Sequence, residues 1–267
     1  MNPPYKTILT SIDQKGVATL TLNRPECHNA FDDVMINEMI HALLQLEEDK
    51  AVKIIVLKST GKNFSAGADL TWMQKMAHFT EDENIHDAMR LGKLMYTLYY
   101  CQKPTIAMVQ GAVYGGGVGL VACSHIAIAS TDATFCFSEA KLGLIPAVIS
   151  PYIINAIGIR QTRAYFLTAN SFDATTAKQI GLCFEVVKRE TLEEKTNDLI
   201  LTLLHNGPTS VQSINSLLKE LSPHPITELI VEKTVQRIAS IRVSPEGQEG
   251  LKAFLEKRKP AWCQDLK

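Results

Sequence analysis

The chain has 267 residues, is 46% hydrophobic and 21% charged, and carries a formal net charge of −1. That length suits one large domain, or one domain plus a small one, with an ordinary globular composition. The near-neutral balance leaves no electrostatic footprint for nucleic acid, and no apolar run reaches the length of a membrane span.

In chain order, residues 7–11 and 17–22 read as two strands flanking Asp13-Gln-Lys-Gly16, a hairpin turn. Asp32 or Asp33 caps a helix running to about Glu48, with Met35, Ile36, Met39, Ile40, Leu43, Leu44 and Leu46 at helical spacing. Residues 53–59 form a continuous β run of the kind buried on both faces. Residues 83–102 are helical and stop before Pro104, and 105–109, 125–129 and 134–137 are further short strands. After about residue 160 helices dominate: 160–169, 173–180, 191–205, 209–221, 226–239 and 245–257. Breaks fall at Asn206-Gly-Pro208 and Ser222-Pro-His-Pro225. An α/β core over 1–200 is therefore followed by a helical region over 201–267. Alternating strands and helices imply largely parallel pairing through right-handed crossovers.

The six cysteines are scattered and include no Cys-x-x-Cys, so reduced and mostly buried thiols are expected. The seven histidines include no His-x-His and no His-Glu-x-x-His, and no metal site is expected. The opening Met-Asn-Pro-Pro-Tyr-Lys has neither the regions of a secretory signal nor the arginines of a transit peptide, which gives a cytoplasmic expectation.

Three stretches bear on chemistry. The run 105–109 enters a turn, then Gly115-Gly-Gly117, then a small-residue helical run. Adjacent glycines cost folding entropy and make sense where a backbone or ligand comes close. At a helix start the free N–H groups and positive dipole end also suit developing negative charge. A tight strand–helix packing turn explains the same residues. A second small-residue loop, Phe64-Ser-Ala-Gly-Ala-Asp69, follows the 53–59 strand. Two such loops could aim two backbone donors at one point, as an oxyanion hole does. Third, Glu139 follows a strand beside an apolar stretch. It is either an exposed, ion-paired loop residue or a carboxyl with a raised pKa that exchanges protons near neutrality. No Gly-x-Ser-x-Gly surrounds Ser65, Ser124 or Ser138, so serine nucleophile chemistry has no support. Trp72 and Met73 read as core.

The ordered set Asn23-Arg-Pro…Asn29-Ala30, Phe64-Ser-Ala-Gly-Ala-Asp69, Gln110-Gly…Gly115-Gly-Gly117 and Glu139…Leu142-Gly…Pro146 resembles the crotonase (enoyl-CoA hydratase/isomerase) superfamily over nearly the whole chain. The ending from Glu249 to Lys259 resembles the family's C-terminal helix. Gly67-Ala-Asp-Leu-Thr-Trp-Met73, Pro146-Ala-Val-Ile-Ser-Pro151 and Arg242-Val-Ser-Pro-Glu-Gly-Gln248 are similar to bacterial 3-methylglutaconyl-CoA hydratases.

The resemblance implies a spiral of β-β-α units with a helical C-terminal trimerisation region, and a trimer or a hexamer built as a dimer of trimers. It implies an acyl-CoA substrate and no separate cofactor, because coenzyme A is part of the substrate; the net charge of −1 and the lack of a membrane-length apolar run give the expectation of no nucleic-acid and no membrane partner. Ala68 and Gly116 match the two oxyanion donors, and Glu139 matches the glutamate that exchanges a proton at Cα. Ala66 and Asp69 fall where the family lines the adenine pocket, and His28 where relatives place a basic residue near the CoA phosphates. Phe254 and Lys257 match positions that reach a neighbouring subunit's CoA. One departure stands out: two-glutamate hydratases carry a second, water-orienting glutamate two residues after the glycine triplet, where this chain has Gly119. Single-glutamate relatives include Δ3,Δ2-enoyl-CoA isomerases. The expected activities are therefore hydration of a short branched enoyl-CoA, or a double-bond shift using Glu139 alone.

Overall fold

A computed structural model of the chain describes residues 5–221 and 225–263. Strand β1 (Ile8–Ile12) turns back on β2 (Val17–Leu22) as an antiparallel hairpin. The turn is fixed by the Asp13 carboxylate, which accepts from the Lys15 and Val17 N–H groups at 2.9 and 2.8 Å. From β2 the sheet continues in parallel through β3 (Ile54–Ser59), β4 (Thr105–Val109), β6 (Ile126–Ser130) and β9 (Glu185–Val187). A smaller sheet pairs β5 (Ala112–Tyr114) in parallel with β7 (Thr134–Cys136), and β7 antiparallel with β8 (Phe172–Asp173). The fold is of the α/β class, with β-β-α units followed by C-terminal helices.

The central strands are buried on both faces, as β3 shows. Helix α1 (Asp33–Glu48) starts where the Asp32 carboxylate caps the Met35 N–H. It buries Met35, Ile36, Met39, Leu43 and Leu46, which recur at helical spacing. Each such side chain contributes about 1.5–3 kcal/mol when fully buried. Helix α2 (Leu70–Met76) follows, with Trp72 buried as expected. Helix α3 (Glu81–Tyr99) begins two residues earlier than its apolar pattern suggested. Thr80 and Glu83 form a reciprocal capping box, which satisfies donors that a frayed start would leave free. Helix α4 (Gly116–Cys123) is the predicted small-residue run.

Helix α5 (Ser150–Thr168) extends ten residues ahead of the expected start at 160. Pro151 is tolerated in its first turn, and a non-helical Gly158 interrupts it, which broke the apparent pattern. Helix α6 (Ala174–Gln179) is capped by Asp173, matching the 173–180 expectation closely. Five of the six cysteines are buried and all six are free thiols. Among the described residues no helix is long and apolar enough to cross a membrane, and no group of three metal-ligating side chains occurs.

The chain divides into two units: residues 1–101 with 105–196, and residues 102–104 with 197–267. Helix α7 (Leu192–Leu204) runs across the division. The second unit contains α8 (Pro208–Leu221), α9 (Glu228–Val243) and α10 (Pro245–Leu255). Glu246 accepts from the Thr209 and Ser210 N–H groups at 2.9 and 2.8 Å, so it closes the start of α8. The expected break at Ser222-Pro-His-Pro225 lies largely outside the described residues.

Candidate active site

Two loops of the first unit are held together by asparagines. Buried Asn29, in the left-handed backbone region at φ 54°, accepts from the Arg24 N–H and donates to the carbonyls of Thr60 and Asn63, both at 2.9 Å. Asn63 in turn accepts from the Ala112 N–H at 2.9 Å and donates to His28 Nδ1 at 3.0 Å. The loop after β3 is thereby tied to the 24–31 segment and to β5. These asparagines carry no chemistry of their own, and sequence reasoning gave them no role. Their one signal was that Asn tolerates left-handed backbone better than other residues with a Cβ.

Single bridges then set the direction of the backbone. Phe31 pairs in parallel with Ala68: the Phe31 N–H bonds the Gly67 carbonyl and the Asp69 N–H bonds the Phe31 carbonyl, both at 2.7 Å. In such a bridge the N–H of Ala68 itself points away from Phe31. No hydrogen-bond acceptor is found for it, nor for the N–H of Gly116, the first residue of α4. Ala68 is exposed and Gly116 half-exposed. Gly67 has φ 90°, and a Cβ there would lie 3.9 Å from the Gly115 nitrogen, so the two donor loops are in contact.

Glu139 completes the group. It opens a short 3-10 turn after β7, and a Cβ on Gly115 would come within 3.1 Å of Glu139 Oε1. Oε2 is buried and has no hydrogen-bond partner. Burial pushes the carboxyl above the usual carboxylate range, against a smaller lowering by its own backbone N–H. Glu139 is thus not an exposed, ion-paired loop residue. Ala68, Gly116 and Glu139 thus lie on adjoining segments: Gly67, next to Ala68, contacts Gly115, which precedes Gly116 and faces the Glu139 carboxyl.

The glycine triplet has separate reasons at each position. Gly115 takes φ 49° and faces Glu139, whereas a Cβ on Gly116 would strike Phe31 Cε2 at 2.9 Å and one on Gly117 would sit 3.0 Å from Ser65. Tight packing therefore accounts for two of the three, and it is this packing that leaves the Gly116 N–H accessible.

Of the remaining candidates, Ala66, Asp69 and His28 belong to the first unit and Phe254 and Lys257 to the second. Asp69 is buried; its Oδ1 caps the Thr71 and Trp72 N–H groups at 2.9 and 3.1 Å, and its Oδ2 meets Arg24 Nη2 at 3.0 Å. Burial raises its pKa, but the Trp72 N–H, Arg24 and the Thr71 N–H outweigh this and hold it below the usual range. Its carboxylate is thus committed within the protein. Ala66 is half-buried, its N–H bonded to the His28 carbonyl at 3.0 Å. His28 is exposed at φ 56°. Phe254 and Lys257 belong to the second unit, both exposed, Lys257 at φ 55° just beyond α10.

Residues 13–265 match the family model described as enoyl-CoA hydratase/isomerase. The chain belongs to the enoyl-CoA hydratase/isomerase family. An enoyl-CoA hydratase structure from Shewanella pealeana is 46% identical, with a TM-score of 0.93 over 97% of each chain. A chain from Legionella pneumophila assigned to the crotonases is 51% identical, with a TM-score of 0.92, covering 96% of this chain and 98% of that one. The mitochondrial Delta(3,5)-Delta(2,4)-dienoyl-CoA isomerase of Dictyostelium discoideum is 30% identical over 273 residues, 98% of this chain and 93% of its own. Hydratases and isomerases thus both stand among the relatives of this family member.

Proposed function

We propose that this protein hydrates a short branched α,β-unsaturated acyl-CoA, converting 3-methylglutaconyl-CoA to 3-hydroxy-3-methylglutaryl-CoA in leucine breakdown. The observation that carries the reading is the half-buried Glu139 carboxyl, with its raised pKa, set against Gly115 at the entrance to two unpartnered N–H groups. The Ala68 and Gly116 donors receive the thioester oxygen as it takes on enolate charge. Each such donor is worth about 2.7–4 kcal/mol of transition-state stabilisation. Water forms a C–O bond at Cβ, the π electrons pass to the thioester oxygen, and Glu139 gives a proton to Cα. The proton released by the water returns to the carboxylate, so Glu139 ends as it began. The substrate's distal carboxylate helps to orient the water, since position 119 supplies no carboxylate.

Ala66, Asp69 and His28 line the CoA end in this reading. Phe254 and Lys257 serve the CoA of a neighbouring subunit in a cytoplasmic trimer or hexamer. The exposed apolar stripe Val231, Val235 and Ile238 on α9 supports self-association. Sedimentation at micromolar concentration tests this part: a monomer would remove it.

Hydration is tested by following the absorbance of the conjugated thioester with 3-methylglutaconyl-CoA and crotonyl-CoA, with products identified by mass. Loss of absorbance with gain of one water, faster on the methylglutaconyl thioester, is expected. The second reading, a Δ3,Δ2-enoyl-CoA isomerase, is favoured by the lone carboxylate of the site. It predicts no gain of water and turnover of a β,γ-enoyl-CoA instead.

A further inference from the structure

Gly119 lies one turn beyond Gly116 on α4, and its N–H bonds the Gly115 carbonyl at 3.3 Å. Residues three apart on a helix share a face, and every Cα–Cβ bond tilts towards the helix N-terminus. A side chain at 119 would therefore lean back towards the turn of Gly115 and Gly116, and a Cβ on Gly115 would face Glu139 Oε1 at 3.1 Å.

That volume is already taken. A Cβ at 119 would meet Ile149 Cγ2 at 2.4 Å, Ile149 Cβ at 3.2 Å and Met95 Cε at 3.1 Å. Met95 presents the far end of a flexible chain and can yield. Ile149 cannot. It is buried immediately before α5, its carbonyl accepts from the Tyr152 and Ile153 N–H groups at 3.1 Å each, and a β-branched side chain is stiff at χ1. Cys123 Sγ lies 3.7 Å from Met95 Sδ, so the atoms nearest that space are hydrocarbon and sulfur.

We propose that Ile149 is a specificity-determining residue: by filling the space over Gly119 it holds the site to the single carboxylate of Glu139 and walls that side with hydrocarbon. The proposal rests on Glu139 being the group that exchanges the proton at Cα. It follows that a thioester without a carboxylate of its own is a poor substrate, because position 119 supplies no carboxylate to hold a water.

The test compares Gly119→Glu, Ile149→Ala and the double variant with the unaltered protein. Melting is recorded for each, with kcat/KM against pH for 3-methylglutaconyl-CoA and crotonyl-CoA. Gly119→Glu alone should melt lower by about 5 °C or more, from the clash with Ile149. The double variant should regain most of that loss, add a second ionisation to its pH profile and turn over crotonyl-CoA at least ~10-fold faster than Ile149→Ala. A Gly119→Glu protein that melts like the wild type and already shows the second ionisation would overturn the proposal. So would a folded double variant with one ionisation and no gain on crotonyl-CoA. If the double variant does not fold, Ile149→Ala decides alone: an unchanged ratio of kcat/KM between the two thioesters sinks the idea, and a shift of ~5-fold or more sustains it. Should the wild type add water to neither thioester, it is the hydratase reading that fails. The ionisations are then counted from exchange of the Cα hydrogens of butyryl-CoA in deuterium oxide, and the ratio is read from the exchange rates of two saturated thioesters.

Discussion

Arg24 Nη2 lies 3.0 Å from Asp69 Oδ2, and the other oxygen of that carboxylate closes the first turn of α2. The same guanidinium reaches Asp32 and the Ala30 carbonyl, both at 2.9 Å. One arginine therefore joins the N-terminal caps of α1 and α2, and Ala68 sits directly before the second cap. Asp69→Asn keeps the acceptor for the α2 N–H groups and loses only the charge pair. Asp69→Ala loses both. The alanine variant should cost about 1–3 kcal/mol in urea unfolding, and the asparagine variant clearly less. Both should lower kcat, because the Ala68 donor moves off its aim. An alanine variant of unchanged turnover would detach Ala68 from this anchoring.

Glu139 sits in a place that disfavours its charge, which sets function against stability. Its folded pKa is raised by burial, so its favourable contribution is complete below the unfolded value of 4.5 and is lost as pH rises through the folded value. At pH 7.5 the Glu139→Gln protein should be as stable as the wild type or more so, with the difference closing as pH falls to 4. Its kcat should fall by about 10²–10⁴-fold with the fold intact. Paired thermal melts at the two pH values, alongside kcat, check both halves; near-normal turnover would remove Glu139 from the proton transfer.

The two small-residue loops and Glu139 are visible in the sequence because each follows a strand. The residues alone leave a packing turn and an ion-paired glutamate open, and the donor and proton-exchange roles come only from the family resemblance. The packing around them is not legible there. Nothing local to Gly116 or Gly117 announces that Phe31 and Ser65 press on their Cα atoms, since those partners lie tens of residues away. Ile149 was hidden for the same reason: it lies in Pro146-Ala-Val-Ile-Ser-Pro151, visible only as a resemblance motif, and its place over Gly119, thirty residues away, is not local to that stretch. Strand β5 was missed because three residues between Gly111 and Gly115 carry too short a pattern. Thirteen residues of α7 and fourteen of α8, by contrast, repeat their apolar spacing long enough to be read directly.

Gly115 combines positive φ with a neighbour that matters chemically. At φ 49° an alanine Cβ is strained by about 1–2 kcal/mol on backbone grounds, and it would press on Glu139 Oε1 at 3.1 Å. Gly115→Ala should therefore be less stable by at least that amount in denaturant unfolding. Its pH profile should also shift, because the carboxyl is displaced from its buried setting. Gly143, at φ 72° and ψ 16° in the left-handed helical region with open space around it, provides the control: alanine there should cost about 1–2 kcal/mol of backbone strain, less than at Gly115, and leave the pH profile unmoved.

His125 fixes the start of β4 beneath the site. Its Nδ1 accepts from the Thr105 N–H at 3.0 Å, its backbone N–H donates to Thr105 Oγ1 at 2.9 Å, and its ring also hydrogen-bonds the Tyr99 backbone at the end of α3. An imidazole that accepts at Nδ1 must be neutral with its proton on Nε2. Burial lowers its pKa from 6.5, against a smaller raising by the Tyr99 bond. The sign follows: the stabilisation is complete above pH 6.5 and is lost as pH falls through the depressed folded value. Protonation would also turn Nδ1 into a donor facing the Thr105 donor. His125→Gln should flatten the dependence of unfolding free energy on pH between 7 and 5, at a cost at pH 7.5 of about 0.5–1.5 kcal/mol for the imperfectly replaced hydrogen bonds. If the wild type and the variant show the same slope over that interval, His125 is not the group that titrates on unfolding.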